Sequence, residues 1–427
     1  MSTDLDADRL RSLRRSFHQH PEPAWREFET TARVVEECRR IGVDELHVGP
    51  DALDTDSRMA VPDDEELAAW VDRAREAGVD EDLLETMAGG HTGAIAVLER
   101  GEGPTIALRV DIDGLPIEES TGDDHQPAAE GFRSETGAMH ACGHDAHATI
   151  GLGVLESIAG SDFRGTLKLI FQPAEEVVGG GRAVAQSGHL DDVDHLLAVH
   201  IGLDHPTGEV VAGIEDFLAV NHFRAEFDGE PAHAGAAPEE GRNAVQAMAA
   251  ATQNLYAIPR HSDGGTRINV GVVEGGTATN IVPESATIEG EVRGETTDLM
   301  EYTREHADRI VDSAAEMHDC EVSMETVTEA PSATSDDEIR EVVAEMAGDV
   351  DGVDSILDSA ALGGSEDATC LMNRVQEQGG TAAYVGVGTD HPGGHHTATF
   401  DVDEASLDIG VEVLASAVEA LADRADR

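Results

Sequence analysis

At 427 residues the chain exceeds a typical single domain, and two domains are the default expectation. Hydrophobic residues make up 40% and aromatics only 3%, which argues against a disordered acidic chain and for a core of Val, Leu, Ile and Ala. The net charge of −59, from 87 acidic against 28 basic residues, argues against nucleic-acid binding, because phosphates are repelled.

Only one of the cations is lysine, Lys168, and the acids run along the whole chain rather than forming a tail. That pattern reads as a solvated acidic shell suited to a salt-rich cytoplasm, where concentrated salt screens self-repulsion. The competing reading is a surface for a basic partner. No stretch approaches the roughly 18–20 apolar residues of a membrane span, and no charged-then-apolar leader opens the chain, so a soluble cytoplasmic protein is expected. Cys38, Cys142, Cys320 and Cys370 are scattered without a C-x-x-C pair, which argues against a disulfide framework or a zinc ribbon.

In chain order, residues 7–41 carry helical periodicity with a Pro-marked break at 21–23. Residues 50–88 are very acidic, contain helical "DEELAAWVDRAREAG", and read as a surface insertion. "TGAIAVLE", "PTIALRVDID", "GTLKLIFQPAEE" and "HLLAVHIGL" are short apolar runs ended by polar residues, the pattern of strands, with helical "ATIGLGVLESIAG" between the second and third. This alternation predicts an α/β sheet with helices on its faces, whose functional residues collect at the carboxyl ends of the strands. From about residue 216 the pattern becomes β-α-β-β-α-β, a compact sheet with two helices on one face. Residues 331–427 return to helix–strand alternation. The predicted division is a catalytic domain of residues 1–215 and 331–427 with residues 216–330 inserted into it.

The stretch "MHACGHDAH" (139–147) gathers three histidines, a cysteine and an aspartate. Borderline metals such as zinc and manganese take imidazole, carboxylate and thiolate donors. Further candidate donors stand at strand ends and in loops: Asp111 and Asp113, Glu175 and Glu176, His200, and His395 and His396. Each alone is weak, since a histidine ending a strand is more often a core or surface residue, and paired acids are more often solvated charge. Gly-rich "VVGGGRAV" (177–184) lacks the Lys-Ser/Thr of a phosphate loop and reads as a flexible turn entering a helix.

Taken together, "RRSFHQHPE", "LRVDIDGLP", "MHACGHDAH", "LIFQPAEE", "AVHIG", "PAHAGAAPEEGRNAV", "TATNIVPESATIEGEVRG" and "HHTATFDVDE" resemble, in order and over nearly the whole chain, the M20 metallopeptidase-like amidohydrolases of the hippurate and N-acyl-amino-acid hydrolase branch. Within that branch, "SRMAVPDDE", "GGHTGAIAVL", "GSEDATCLMNRVQ" and the doubled histidine before "TATFD" resemble most the A-subunit type of p-aminobenzoyl-glutamate hydrolase. The resemblance implies a metal-dependent exopeptidase-like α/β catalytic domain, a mixed sheet sandwiched by helices, with an inserted ferredoxin-like α+β lid and dimerisation domain. It implies two divalent ions, manganese or zinc before cobalt or nickel, on Cys142, His144, Glu176, His200 and His396, the residue four before Phe400, with His395 the neighbour easily mistaken for it. Glu175 matches the general base and Asp113 the acid that orients a ligand behind the metals. His233 matches the lid histidine that helps bind the tetrahedral oxyanion, with a plain loop histidine as the alternative. Asn280 and Arg293 match groups that grip substrate, Asn280 otherwise being a turn residue before Pro283.

The implied activity is hydrolysis of an N-acyl or N-aroyl amino acid, with p-aminobenzoyl-glutamate or hippurate as candidate substrates. The alternatives are a dipeptidase, an N-acetyl-amino-acid deacetylase, a subunit that needs a homologous partner, and a metal-free interaction protein. A homodimer through the inserted domain is the expected assembly.

Overall fold

The computed structural model describes residues 7–425, which divide into two compact units. Among the described residues, the first unit holds those up to Glu215, Ala333–Leu362 and those from Asp367 onward; the second holds Asp216–Ser332 and Gly363–Glu366. The short return of Gly363–Glu366 to the second unit was not legible in the sequence pattern.

The first unit is built on an eight-stranded sheet. Its spatial order is Glu45–Val48, Ala94–Glu99, Thr166–Gln172, Thr105–Asp111, His195–Ile201, Thr381–Val387, Glu209–Val211 and Ser355–Leu357. The four strands from Thr166–Gln172 to Thr381–Val387 are mutually parallel, with antiparallel neighbours on both sides. Those four are apolar runs buried at nearly every position, as required when helices cover both faces of a sheet. The helix His144–Ala159 is buried on almost every side because it packs against the sheet and against the helices Ala7–Gln19, Phe28–Ile41 and Ala405–Ala425. Its apolar residues are buried up to Ile158, while Glu156 is partly exposed and pairs with Arg9 and Arg40.

The acidic segment expected as a surface insertion forms the helices Asp64–Glu76 and Glu81–Thr86 around a small core of Leu67, Ala74, Leu84 and Met87 against Phe28. It is also fastened inward: Asp54 N–H donates to the Ala183 carbonyl (2.9 Å) and Met59 N–H to the Gly179 carbonyl (3.2 Å). The Gly-rich segment is a turn that enters the helix Gly181–Ala185, as expected, and it is closely packed. A Cβ on Gly180 would lie 1.8 Å from the Pro173 carbonyl oxygen, and one on Gly181 2.1 Å from that of Asp367, so only glycine fits this close approach.

The second unit has an antiparallel four-stranded sheet in the order Glu321–Ala330, Ala219–Asp228, Ser285–Gly294, Thr266–Gly275. The helices Ala244–Leu255 and Thr297–Met317 pack on each other and on this sheet. Asn243 and Thr296 cap them by accepting the N–H of Gln246 (3.1 Å) and Leu299 (3.3 Å). Phe223, Phe227, Ala247, Ala251, Ile288 and Val311 form its core, the β-α-β-β-α-β arrangement of a ferredoxin-like unit.

Candidate metal centre

Three adjacent parallel strands of the first unit end at one edge of the sheet, and their ends carry chemistry. Thr105–Asp111 runs into Asp111 and Asp113, Thr166–Gln172 into Glu175 and Glu176, and His195–Ile201 carries His200. Cys142 and His144 join them at the start of the helix His144–Ala159. Gly143 between them has φ +86°, and a Cβ there would lie 2.5 Å from Ile201 Cγ2, so the pair can stand over the strand end only with glycine between. Ala174 and His396 also adopt left-handed backbone, with φ of 57° and 59°, a strained state for such residues that clusters at functional sites.

Hydrogen bonds assign tautomers to His200, His147 and His395. His200 Nδ1 lies 2.8 Å from the Ile201 carbonyl, so it carries the proton and donates, and bare Nε2 faces Cys142 Sγ at 3.4 Å. Burial, then the neighbouring His147 and His395, hold the His200 pKa well below its usual value and keep it neutral. His147 Nε2 accepts the Ile201 N–H (2.8 Å), so Nδ1 donates to Asp111 and both its nitrogens are used. His395 Nε2 accepts the Leu203 N–H (3.1 Å), which leaves the proton on Nδ1, 3.5 Å from Cys142 Sγ. His396 faces the opposite acid, with Nε2 3.5 Å from Glu176 Oε2.

The carboxylates are organised by Asp113, whose two oxygens accept the N–H of Glu175 (3.1 Å) and Glu176 (3.0 Å). His144 sits among them: Nδ1 is 3.3 Å from Asp113, and Nε2 is 3.6 Å from Asp111, 3.8 Å from Glu176 and 3.9 Å from Glu175. Despite this, neither ring nitrogen makes an aligned hydrogen bond. Burial pushes the His144 pKa down, but Asp111, Asp113 and Glu176 outweigh it and raise it to about 10. The one fixed cation here is buried Arg109, which donates to Asp111 (2.6 Å), Gln172 (2.8 Å) and Asp367 (3.3 Å). Asp367 in turn accepts the N–H of Gly180 (3.1 Å) and Gly181 (2.7 Å), which explains the glycines. Four acids crowd a single histidine whose ring nitrogens are poorly satisfied, a charge pattern completed by a cation.

The donor set fits a metal. Cys142, His144 and His200 have ligand atoms within 4.8 Å of one another, as do Cys142, Glu176 and His396, and as do His144, Glu175 and Glu176. Thiolate, imidazole and carboxylate together suit zinc-like ions. Asp111, His147, Arg109 and Asp367 support this cluster from behind. Of these, the sequence offered Asp111 as a strand-end acid and His147 within "MHACGHDAH", but not Arg109 or Asp367 as its supports. His140, buried with both ring nitrogens unbonded, belongs to none of these donor groups.

Three candidates lie in the second unit. His233 Nδ1 accepts the N–H of Gly235 and Ala236 (3.1 Å each), so its neutral ring carries the proton on exposed Nε2. Asn280 is exposed beside it, its carbonyl accepting the Ala234 N–H (3.0 Å). Arg293 is elsewhere on the unit, forked on Glu291 at 3.1 and 3.0 Å with Nη1 3.5 Å from Ser365 Oγ.

The chain is similar to known proteins over nearly its whole length. The chain is 45% identical over 408 residues to indole-3-acetyl-aspartic acid hydrolase of Enterobacter agglomerans, covering 94% of this chain and 93% of that one. It is 41% identical over 414 residues to the A subunit of p-aminobenzoyl-glutamate hydrolase of Escherichia coli (strain K12), covering 96% and 95%. The crystal structure of the aminobenzoyl-glutamate utilization protein from Klebsiella pneumoniae superposes with a TM-score of 0.83 at 38% identity, covering 99% and 98%. With residues 107–420 matching the family pattern and a thiolate–imidazole–carboxylate cluster at the sheet edge, this chain belongs to Peptidase family M20/M25/M40.

Proposed function

We propose that the chain is a metal-dependent amidohydrolase that cleaves N-acyl or N-aroyl amino acids, and that the released amino acid is dicarboxylic, as in p-aminobenzoyl-glutamate. The observation that carries the reading is the cluster of Cys142, His144, Glu175, Glu176, His200 and His396. Cys142, His144, Glu176, His200 and His396 would hold two divalent ions, manganese or zinc by donor type, with cobalt or nickel accepted by the same set. When bound, such ions supply Lewis acidity toward the amide carbonyl and acidify water. The tautomers favour His396 over His395 as ligand, because His395 commits Nε2 to Leu203 and presents a proton toward sulfur.

Glu175 is the general base in this reading. Its backbone is fixed by Asp113. Its carboxylate takes the proton of the attacking water and delivers it to the amide nitrogen as the C–N bond breaks, leaving a carboxylic acid and a free amine. His233 Nε2–H serves as donor to the oxyanion. Arg293, held flat by Glu291, suits a bidentate carboxylate contact, and Asn280 a carbonyl. We further infer that the second unit acts as lid and dimer contact, and that the acidic surface suits a salt-rich cytoplasm. A homologous second chain is the alternative partner, because one relative is named as one subunit of a hydrolase. Among the described residues, no helix is long and apolar enough to cross a membrane.

The test is metal analysis joined to turnover. Protein purified in high salt should carry about two transition metals per chain. It should hydrolyse p-aminobenzoyl-glutamate, and Glu175→Ala should keep the metals while losing about a hundred- to ten-thousandfold in kcat. Faster turnover of N-acetyl-amino acids or dipeptides would favour the deacetylase or dipeptidase reading. Folded protein that takes up neither zinc nor manganese would remove the hydrolase reading.

A further inference from the structure

The acidic insertion brings a cation to the active edge of the large sheet. Strand Ala94–Glu99 runs antiparallel to Thr166–Gln172 with Ala94 opposite Phe171, so the residues just before Ala94 lie beside the turn that leads to Glu175. Thr92 Oγ1 donates to Glu27 (2.6 Å), which accepts the Ala174 N–H (2.8 Å), and Met59 N–H donates to the Gly179 carbonyl (3.2 Å). Trp25 Nε1–H in turn donates to the Met59 carbonyl (2.8 Å). Segments 55–60 and 89–93 are thereby fastened to the loop carrying Glu175 and Glu176.

Arg58 stands on this frame. Its guanidinium lies 5.4 Å from the ring centroid of fully buried Trp25, and Nη1 donates to the Gly89 carbonyl (2.7 Å). Nε reaches the Thr55 carbonyl only at 3.4 Å. Among the described residues Nη2 makes no hydrogen bond, and no carboxylate lies within 4 Å of the side chain, although it is half-buried in a chain with 87 acids whose arginines are mostly acid-paired. An arginine anchored through one arm, with its other arm open, is a preformed fork for a carboxylate.

Resting on the hydrolase reading, we propose that Arg58 binds the side-chain carboxylate of a dicarboxylic amino acid in the substrate and selects it over its neutral amide. A half-buried guanidinium left facing an uncharged group gives the discrimination.

The test compares p-aminobenzoyl-L-glutamate with its near-isostere p-aminobenzoyl-L-glutamine on metal-loaded protein. Wild type should prefer the glutamate by about ten- to hundredfold in kcat/KM, as a charge-assisted hydrogen bond provides. Arg58→Gln should bring the ratio to within about threefold of one, the loss falling on KM for the glutamate while metal content holds. Arg58→Lys, which keeps the charge, should give an intermediate ratio, and it decides the matter if the glutamine variant does not fold. Hydrolysis of both amides at equal rates by wild type, or an unchanged ratio in the variants, overturns the assignment and leaves the hydrolase standing. No hydrolysis of either amide by wild type overturns the assignment, and the hydrolase reading then falls only if the folded protein also takes up neither zinc nor manganese.

Discussion

The two units hold their candidate residues in different ways. At the edge of the large sheet three histidines are committed by hydrogen bonds: His200 to the Ile201 carbonyl, His147 between Asp111 and the Ile201 N–H, His395 between the Leu203 N–H and Cys142. In the second unit His233 and Asn280 are exposed, on segments held by backbone hydrogen bonds, the His233 ring and the Arg242–Glu230 pair (3.0 Å). The first arrangement fixes geometry through packing before anything binds; the second leaves donors free to meet a ligand. Damage to the first should therefore register in stability and metal affinity, and damage to the second in turnover alone.

The largest effect on the buried side should come from Arg109→Met. It leaves Asp111 and Asp367 without their cation, and denaturant unfolding in high salt should report a loss of about 3–5 kcal/mol. A loss under about 1 kcal/mol would mean the acids relax without it. On the exposed side, His233→Ala should lower kcat by about a hundred- to thousandfold while stability moves by no more than about 0.5 kcal/mol. Normal kcat in that variant would leave His233 a loop residue.

The adjacent histidines sharpen the contrast within one turn. His396→Ala should remove one metal of the pair by elemental analysis, whereas His395→Ala should keep both and weaken affinity about ten- to hundredfold. The reverse outcome would exchange their roles.

The smallest effect concerns His18, buried behind the site. Burial and Arg14 lower its pKa, but hydrogen bonds to Asp145 (2.8 Å) and Glu119 (2.9 Å) prevail and raise it to about 9. A pKa raised on folding adds stability that is complete below about pH 6.5 and is lost as pH climbs through about 9. Thermal melts of wild type should fall more steeply over that window than those of His18→Gln, and parallel curves would refute the charged pair.

Much of this was legible in the sequence because strands announce themselves as apolar runs and the chemistry sits where the runs stop. That rule offers Asp113, Glu175, Glu176 and His200 as candidates, each weak alone; their roles came only from the family resemblance. The supports behind them did not follow, because a buried partner is chosen by tertiary packing. Arg109 meets Asp367 across 258 positions, and no local pattern marks either. Counting back from Phe400 singles out His396, whereas the Leu203 N–H that occupies His395 Nε2 is a tertiary contact the alternation of residues never encodes. The Gly-rich turn into a helix was legible, but not the reason for its glycines, which let Asp367 reach two amides.

The strand order carries a consequence for biosynthesis. Thr381–Val387 enters the sheet beside His195–Ile201, and His396 follows it, whereas Asp216–Ser332 is a continuous stretch with its own core. A ribosome therefore finishes the inserted unit while the sheet that carries the donors still lacks a central member. Loading of the ions should be among the last events after synthesis, and chains arrested before Thr381 should retain zinc weakly even with Cys142, His144 and His200 already in place.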